Sequence, residues 1–185
     1  MIDLRDLKDE DEERLYRWRR EPEVSRWMSD ADFPTAWDHS RWFGNLRDDP
    51  DLRGWMITRD SEPVGLLTLT GLSSHHRRAS WNWFVGDADA RGRGVGRAAQ
   101  VLGLDRAFGE LGLHKVWSEV MADNDAALKV QAAVGFRREG YLRGHVLKNG
   151  EPRDVVLLGL LAGEWQDLRD EARHTLTEAR LIAAA

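Results

Sequence analysis

Between Asp89 and Gln100 the chain reads "DARGRGVGRAAQ". From Arg91 to Arg97 three glycines, Gly92, Gly94 and Gly96, are interleaved with arginines and one valine. A strand-like run, "ASWNWFVG", comes before this turn. A helix-like run follows it, with Val101, Leu104, Phe108 and Leu111 at helical spacing. Strand, glycine turn and helix together aim backbone amides and a helix N-terminus at an anion. Glycine supplies the positive φ angles and the close backbone approach that such a turn needs. Two familiar phosphate loops do not fit. A P-loop requires Gly-Lys-Ser/Thr at the helix start, and none is present. A dinucleotide fingerprint requires G-x-G-x-x-G in an early parallel βαβ unit. Here the spacing is G-x-G-x-G, and three antiparallel-looking strands come first.

The bulk properties narrow the ligand further. At 185 residues, with 42% hydrophobic and 32% charged residues, the chain reads as one globular domain. No apolar run approaches the roughly 20 residues that span a bilayer. The start, "MIDLRDLKDEDEE", is acidic and lacks an apolar signal region, so a cytoplasmic protein with no membrane partner is expected. The absence of cysteine excludes disulfides, thiolate metal sites and cysteine nucleophiles together. No His/Asp spacing makes a metal site. A net charge of -5 argues against a general nucleic-acid binder. Yet His75, His76, Arg77 and Arg78 precede the glycine turn, and Arg91, Arg93 and Arg97 lie within it. This basic patch fits a small anionic ligand; a solvated arginine face has the same signature. The nine tryptophans fit core positions, groove walls or stacking surfaces.

The order of elements is readable along the chain. A first strand "IDLRDL" leads into a helix interrupted at Pro22. Thr35 is placed to cap a second helix, "TAWDHSRWFGNL". A hairpin with Asp60-Ser61-Glu62-Pro63 as its turn precedes the aromatic strand. After the glycine turn and its helix, Gly112 stops the chain and "HKVWSEVM" forms a strand. Asn124 starts a helix that Gly135 ends. Asn149-Gly150 marks a second hairpin, and the chain is helical from Ala162. The stripe Trp165, Leu168, Ala172, Leu176, Ala179 and Ile182 is expected to pack on the core or on a second subunit.

The pattern Arg91-x-x-Gly94-x-Gly96 resembles the pyrophosphate loop of the GCN5-related N-acetyltransferases, written Arg/Gln-x-x-Gly-x-Gly/Ala. The element order matches that family across nearly the whole chain. So does the helix from Asn124-Asp125-Ala126-Ala127 to Gly135-Phe136. The segments "WRREPEV", "DHSRWFGNL", "LGLHKVWSEV", "GFRREGYLRGHVLKNG" and "DVVLLGLLAGEW" look like the aminosugar-nucleotide acetyltransferases of pseudaminic acid synthesis. The part from "GFRREG" onward is shared with ribosomal-protein N-terminal acetyltransferases. The resemblance implies an α/β (α+β) fold: a mixed, mostly antiparallel seven-stranded sheet flanked by helices, with strands 4 and 5 splayed. Residues 1–161 form the acetyltransferase domain, and 162–185 a C-terminal helical extension of it.

It implies acetyl-CoA as cosubstrate, with no metal. The pantetheine arm would lie between the fourth and fifth strands, with a backbone N–H near Phe84 or Val85 polarising the thioester. The loop Arg91, Gly92, Arg93, Gly94, Val95 and Gly96 would hold the pyrophosphate, and Asn124 would contact the cofactor arm besides capping its helix. The expected acceptor is the primary amine of a UDP- or TDP-linked aminosugar, stacked on Trp42, Trp81 and Trp83. A protein N-terminus or a polyamine is the alternative, a possible homodimer the expected assembly. For the base, Glu119 acting through water and His39 are the candidates, although surface residues carry the same sequence signature. Relatives place a tyrosine in the helix before Gly-Phe to protonate the leaving thiolate. This chain has Gln131 there, which has no proton to transfer at neutral pH. Tyr141 would replace it only if the fold brought it near. Without such an acid, a non-catalytic acyl-CoA sensor stands as the reading from another class.

Overall fold

A computed structural model describes residues 1–29 and 34–184. Its elements are β1 (Ile2–Asp6), α1 (Asp11–Arg20), α2 (Pro22–Ser25), α3 (Ala36–Asp48), β2 (Arg53–Arg59), β3 (Glu62–Ser73) and β4 (Arg78–Val85). After a short turn of helix at Ala88–Ala90 come α4 (Val95–Asp105), β5 (Lys115–Met121), α5 (Asp125–Ala132), β6 (Arg137–Lys148), β7 (Glu151–Leu161) and α6 (Ala162–Glu178). The strands form one seven-stranded sheet in the order β1-β2-β3-β4-β5-β7-β6. Every neighbouring pair is antiparallel except β4 and β5. This is the mixed α/β architecture that the resemblance implied.

Alternation along the strands feeds two cores. Ile57, Leu67, Trp81 and Val116 join Val101, Leu104, Trp165 and Leu176 on the face covered by α4 and α6. Met56 and Leu66 point to the other face, against Leu15 and Trp18 of α1 and Phe43 and Leu46 of α3. Local chemistry sets the element ends much as expected. Thr35 Oγ1 accepts from the Asp38 amide at 3.1 Å, and Asn124 Oδ1 accepts from the Ala127 amide at 3.1 Å. Gly112 and Gly135 hold positive φ angles of 60° and 100°. The first hairpin turn is tighter than expected. Asp60 and Ser61 alone make it, with φ of 52° and 70°, while Glu62 and Pro63 already belong to β3. The helix α4 runs to Asp105 and widens into a π-type turn over Arg106–Glu110.

The C-terminal stripe packs on this chain's own core. Trp165, Ala172, Leu176 and Ile182 are buried, whereas Leu168 is 40% exposed. Asp105 ties α6 to α4: it accepts from Trp165 Nε1 at 3.2 Å, Arg169 Nε at 2.7 Å and Arg173 Nη1 at 2.5 Å. No helix among the described residues is long and apolar enough to cross a membrane.

Candidate active site

β4 and β5 pair only at Arg78↔Lys115, Ala79↔Val116 and Ser80↔Trp117. Beyond Ser80 the strands part, and a cavity of about 770 Å³ opens through the sheet. Where two parallel strands diverge, their facing backbone groups lose their partners and can serve a ligand instead. Strand alternation then sorts the β5 side chains. Val116, Ser118 and Val120 are buried and face α4 and α5. Trp117 and Glu119 face the α1–α3 side, and both line the cavity.

The glycine turn sits at one mouth of this cavity. Gly94 is the N-cap of α4 in the left-handed region, φ 78°, and no side chain caps the helix. The first intrahelical bond runs from the Ala98 amide to the Gly94 carbonyl at 3.0 Å. The amides of Val95, Gly96 and Arg97 therefore stand at the positive end of the helix dipole. Gly96 serves a different need: a Cβ there would meet Trp83 Cζ3 at 2.8 Å, so only glycine lets α4 close onto β4. Arg91 binds inward. Its Nε donates to the Val85 carbonyl at 3.0 Å and its Nη2 to the Gly86 carbonyl at 2.8 Å, fastening the turn to the end of β4. Arg93 is exposed, and Arg97 Nε is buried without a partner among the described residues. Gly92, Asn124, Phe84 and Val85 line the cavity as well. An uncapped helix start beside a strand gap offers free backbone amides that an anion can accept from.

The three expected tryptophans all line the cavity, but from different faces of the sheet. Trp81 is fully buried, its ring against the positions of Leu67 and Gly103 and 6.0 Å from Phe136, so it is core and offers no stacking face. Trp83 lies on the same sheet face, beneath Gly96 and Val130. Of the three tryptophans only Trp42 reaches the α1–α3 side of the cavity, where Arg19 covers its ring at 4.1 Å. His39 is 2% exposed and does not line the cavity. Its Nε2 donates to the Glu12 carbonyl at 2.9 Å, and its Nδ1 accepts from Arg19 Nη1 at 3.3 Å. Burial and the Arg19 charge push its pKa below the ordinary 6.5, against the opposing pull of the Glu12 carbonyl. His39 is thus a neutral, hydrogen-bonded core residue, and the structure does not bring it to the reacting groups.

The basic patch also divides. His75, His76 and Arg77 occupy the turn before β4, at the opposite end of that strand from Arg91. Tyr141 is 50% exposed on β6, and its hydroxyl donates to Asp154 Oδ2 at 2.6 Å, away from the gap.

Glu119 remains at the gap. Among the described residues, the side chain paired with it is His145, with Nε2 at 3.8 Å. Ser118 was not picked out for its place here, and Gln131, expected in place of a tyrosine, is its partner. Ser118 is 3% exposed, lines the cavity, and accepts from Gln131 Nε2 at 3.0 Å. Gln131 is fully buried at the cavity, and its Oε1 has no partner among the described residues. An unpaired buried amide oxygen costs on the order of 1–3 kcal/mol, so the pair is expensive unless something binds there. The sequence signal for Ser118 is a polar residue at the inward position of a strand whose other inward residues, Val116 and Val120, are apolar. On the opposite wall, Trp27, Met28 and Glu23 complete the lining.

The model of the acetyltransferase (GNAT) domain matches residues 2–137, and this chain belongs to that family. It is therefore an acetyl-CoA-dependent N-acetyltransferase. It is 25% identical over 155 residues to the spermidine N(1)-acetyltransferase of Escherichia coli K12, covering 84% of this chain and 83% of that one. Among solved structures, RimJ of Mycobacterium smegmatis in complex with CoA-disulfide superimposes with a TM-score of 0.83 at 26% identity, over 97% of this chain and 89% of that one. The spermidine N-acetyltransferase of Vibrio cholerae, in complex with CoA and spermine, gives 0.83 at 21% identity, over 89% and 98%.

Proposed function

We propose that the acceptor is a small cationic amine of the polyamine class, held with its reacting nitrogen beside Glu119. The observation that carries this reading is the position of Glu119: a carboxylate on the cavity wall, just past the point where β4 and β5 part. The relative in Escherichia coli, whose name states spermidine as acceptor, supports it. An aminosugar nucleotide has no counterpart among the relatives reported above. Two of its three expected stacking residues, Trp81 and Trp83, also face the α4 side.

Bound acetyl-CoA supplies an acetyl thioester in the gap. The residues proposed to hold it are the amides of Gly94, Val95 and Gly96 with Arg93 and Arg97 at the diphosphate, and Phe84, Val85 and Asn124 along the arm. Glu119 attracts the ammonium of the acceptor and takes the proton that the nitrogen must lose before or during attack. Holding both substrates in one cavity replaces a bimolecular encounter by a positioned one. The acceptor side is not uniformly acidic. Glu23 is paired with Arg26 at 2.6 Å, and Arg19 lies over Trp42. Such a wall suits a short amine with one cation at Glu119 better than a long polycation. The arginines also give a reason to try acceptors that carry a carboxylate.

The test is thiol release from acetyl-CoA across diamines, spermidine, spermine, L-amino acids, peptides with free N-termini and nucleotide-linked aminosugars. Diamines or polyamines should be the preferred acceptors, and Glu119→Gln should lower kcat/KM about 100-fold or more with acetyl-CoA affinity unchanged. Turnover with peptides or aminosugars alone would overturn the assignment.

A further inference from the structure

We infer that Ser118 is the hydrogen-bond donor to the leaving sulfur, oriented by Gln131. The inference rests on the reading that the cofactor arm enters the β4–β5 gap. Ser118 stands at the first β5 position past the last β4–β5 pair, Ser80↔Trp117. Its side chain is 3% exposed and lines the cavity. The Gln131 amide donates to Ser118 Oγ at 3.0 Å, so that oxygen is already an acceptor. Its own hydroxyl hydrogen has no acceptor among the described residues. A serine hydroxyl holds one donor and two acceptor sites. With one acceptor site taken by Gln131 and the donor unused by the protein, the hydroxyl hydrogen is available to whatever occupies the gap. Gln131 Oε1 is unpartnered in the same cavity wall and offers a matching acceptor for an N–H.

Gln131 thus replaces a proton-transferring side chain with one that aims another. In the step, the amine nitrogen bonds to the acetyl carbon and the carbon–sulfur bond breaks with its electron pair going to sulfur. The surplus proton of the nitrogen goes to Glu119. The Ser118 hydroxyl hydrogen-bonds to the sulfur anion without losing its own proton, and the anion takes its proton from water. A hydrogen bond given to the charged form stabilises it and makes the thiol more acidic.

The direct test titrates coenzyme A alone on the protein, following the ultraviolet absorbance of the thiolate, with no amine present. The wild-type protein should hold the bound thiol at a lower titration point than free coenzyme A. Ser118→Ala should raise it by about one pH unit and lower kcat about 10- to 100-fold, with KM for acetyl-CoA within about twofold. Ser118→Thr, which keeps the hydroxyl, should retain most of both. If Ser118→Ala does not fold, Ser118→Gly, which also lacks the donor, is read in its place and should show the same rise. A bound thiol that titrates alike in wild type and in the variant lacking the hydroxyl overturns the assignment. Because the titration needs no acceptor, its result is independent of which amine is acetylated.

Discussion

Asp11 shows how much one side chain can hold. It is 1% exposed, its carboxylate takes a two-pronged bond from Arg5 at 2.7 and 2.7 Å, and the Lys8 amide donates to it at 2.8 Å. Burial pushes its pKa up, but the Arg5 and Lys8 bonds and the Arg5 charge outweigh it, leaving a value below the ordinary 3.8. A carboxylate with a lowered folded pKa stabilises the fold above its unfolded value, and that stability is lost as pH falls through the folded one. Asp11→Asn should therefore cost about 1–3 kcal/mol at neutral pH by urea denaturation. The difference from wild type should shrink once the pH is taken below 3.8. His39 acts in the same direction in another window: with its pKa below 6.5, the stability linked to its neutral form is present above 6.5 and lost as the pH falls from there. The acids and the histidine were visible in the sequence. Their burial was not, because each depends on α1 being laid against a separate element.

Among the elements, the glycine turn divides its labour in a way that spacing alone does not reveal. Gly94 answers a backbone demand, a φ of 78°, while Gly96 answers a packing demand, contact with Trp83. A Cβ at Gly96 sits within 3.0 Å of two ring atoms of that indole, so Gly96→Ala has to push α4 off β4. We expect a loss of about 1–3 kcal/mol and a several-fold rise in KM for acetyl-CoA, because the same shift displaces the amides of the helix start. Thermal melts and steady-state kinetics on one variant test both. Equal KM values would separate the turn from cofactor binding. The helix starts at Thr35 and Asn124 were legible because a cap is chosen by residues three apart in the chain. Arg91 was not, since its partners at the end of β4 depend on how the turn folds back.

At the level of the whole molecule, α6 belongs to the core that supports the gap. Trp165, Leu176 and Ile182 are 2–3% exposed, and the Ile2 amide donates to the Leu181 carbonyl at 2.6 Å, tying the two ends of the chain. Removing residues 162–185 exposes that apolar face and leaves Asp105, now 17% exposed at its side chain, without Arg169 and Arg173. The shortened chain should lose cooperative unfolding, as followed by circular dichroism. A folded, active product would show instead that the helix is dispensable to the domain.

What the residues decided by themselves were features with local causes: alternation that makes strands, helical spacing, caps, the two-residue hairpin at Asn149-Gly150, and a glycine turn suited to an anion. Those were enough to give the family and its cosubstrate. The tertiary structure alone decided which face of each strand meets which helix. It thereby sent Trp81 to the core and His39 under α1, and left Glu119 in the cavity. It also decided where β4 and β5 part, and so brought Ser118 against Gln131, thirteen positions away. The physical reason is range: a cap or turn is settled by neighbours in sequence, whereas a gap in a sheet exists only once strands distant in the chain have paired and then failed to continue pairing.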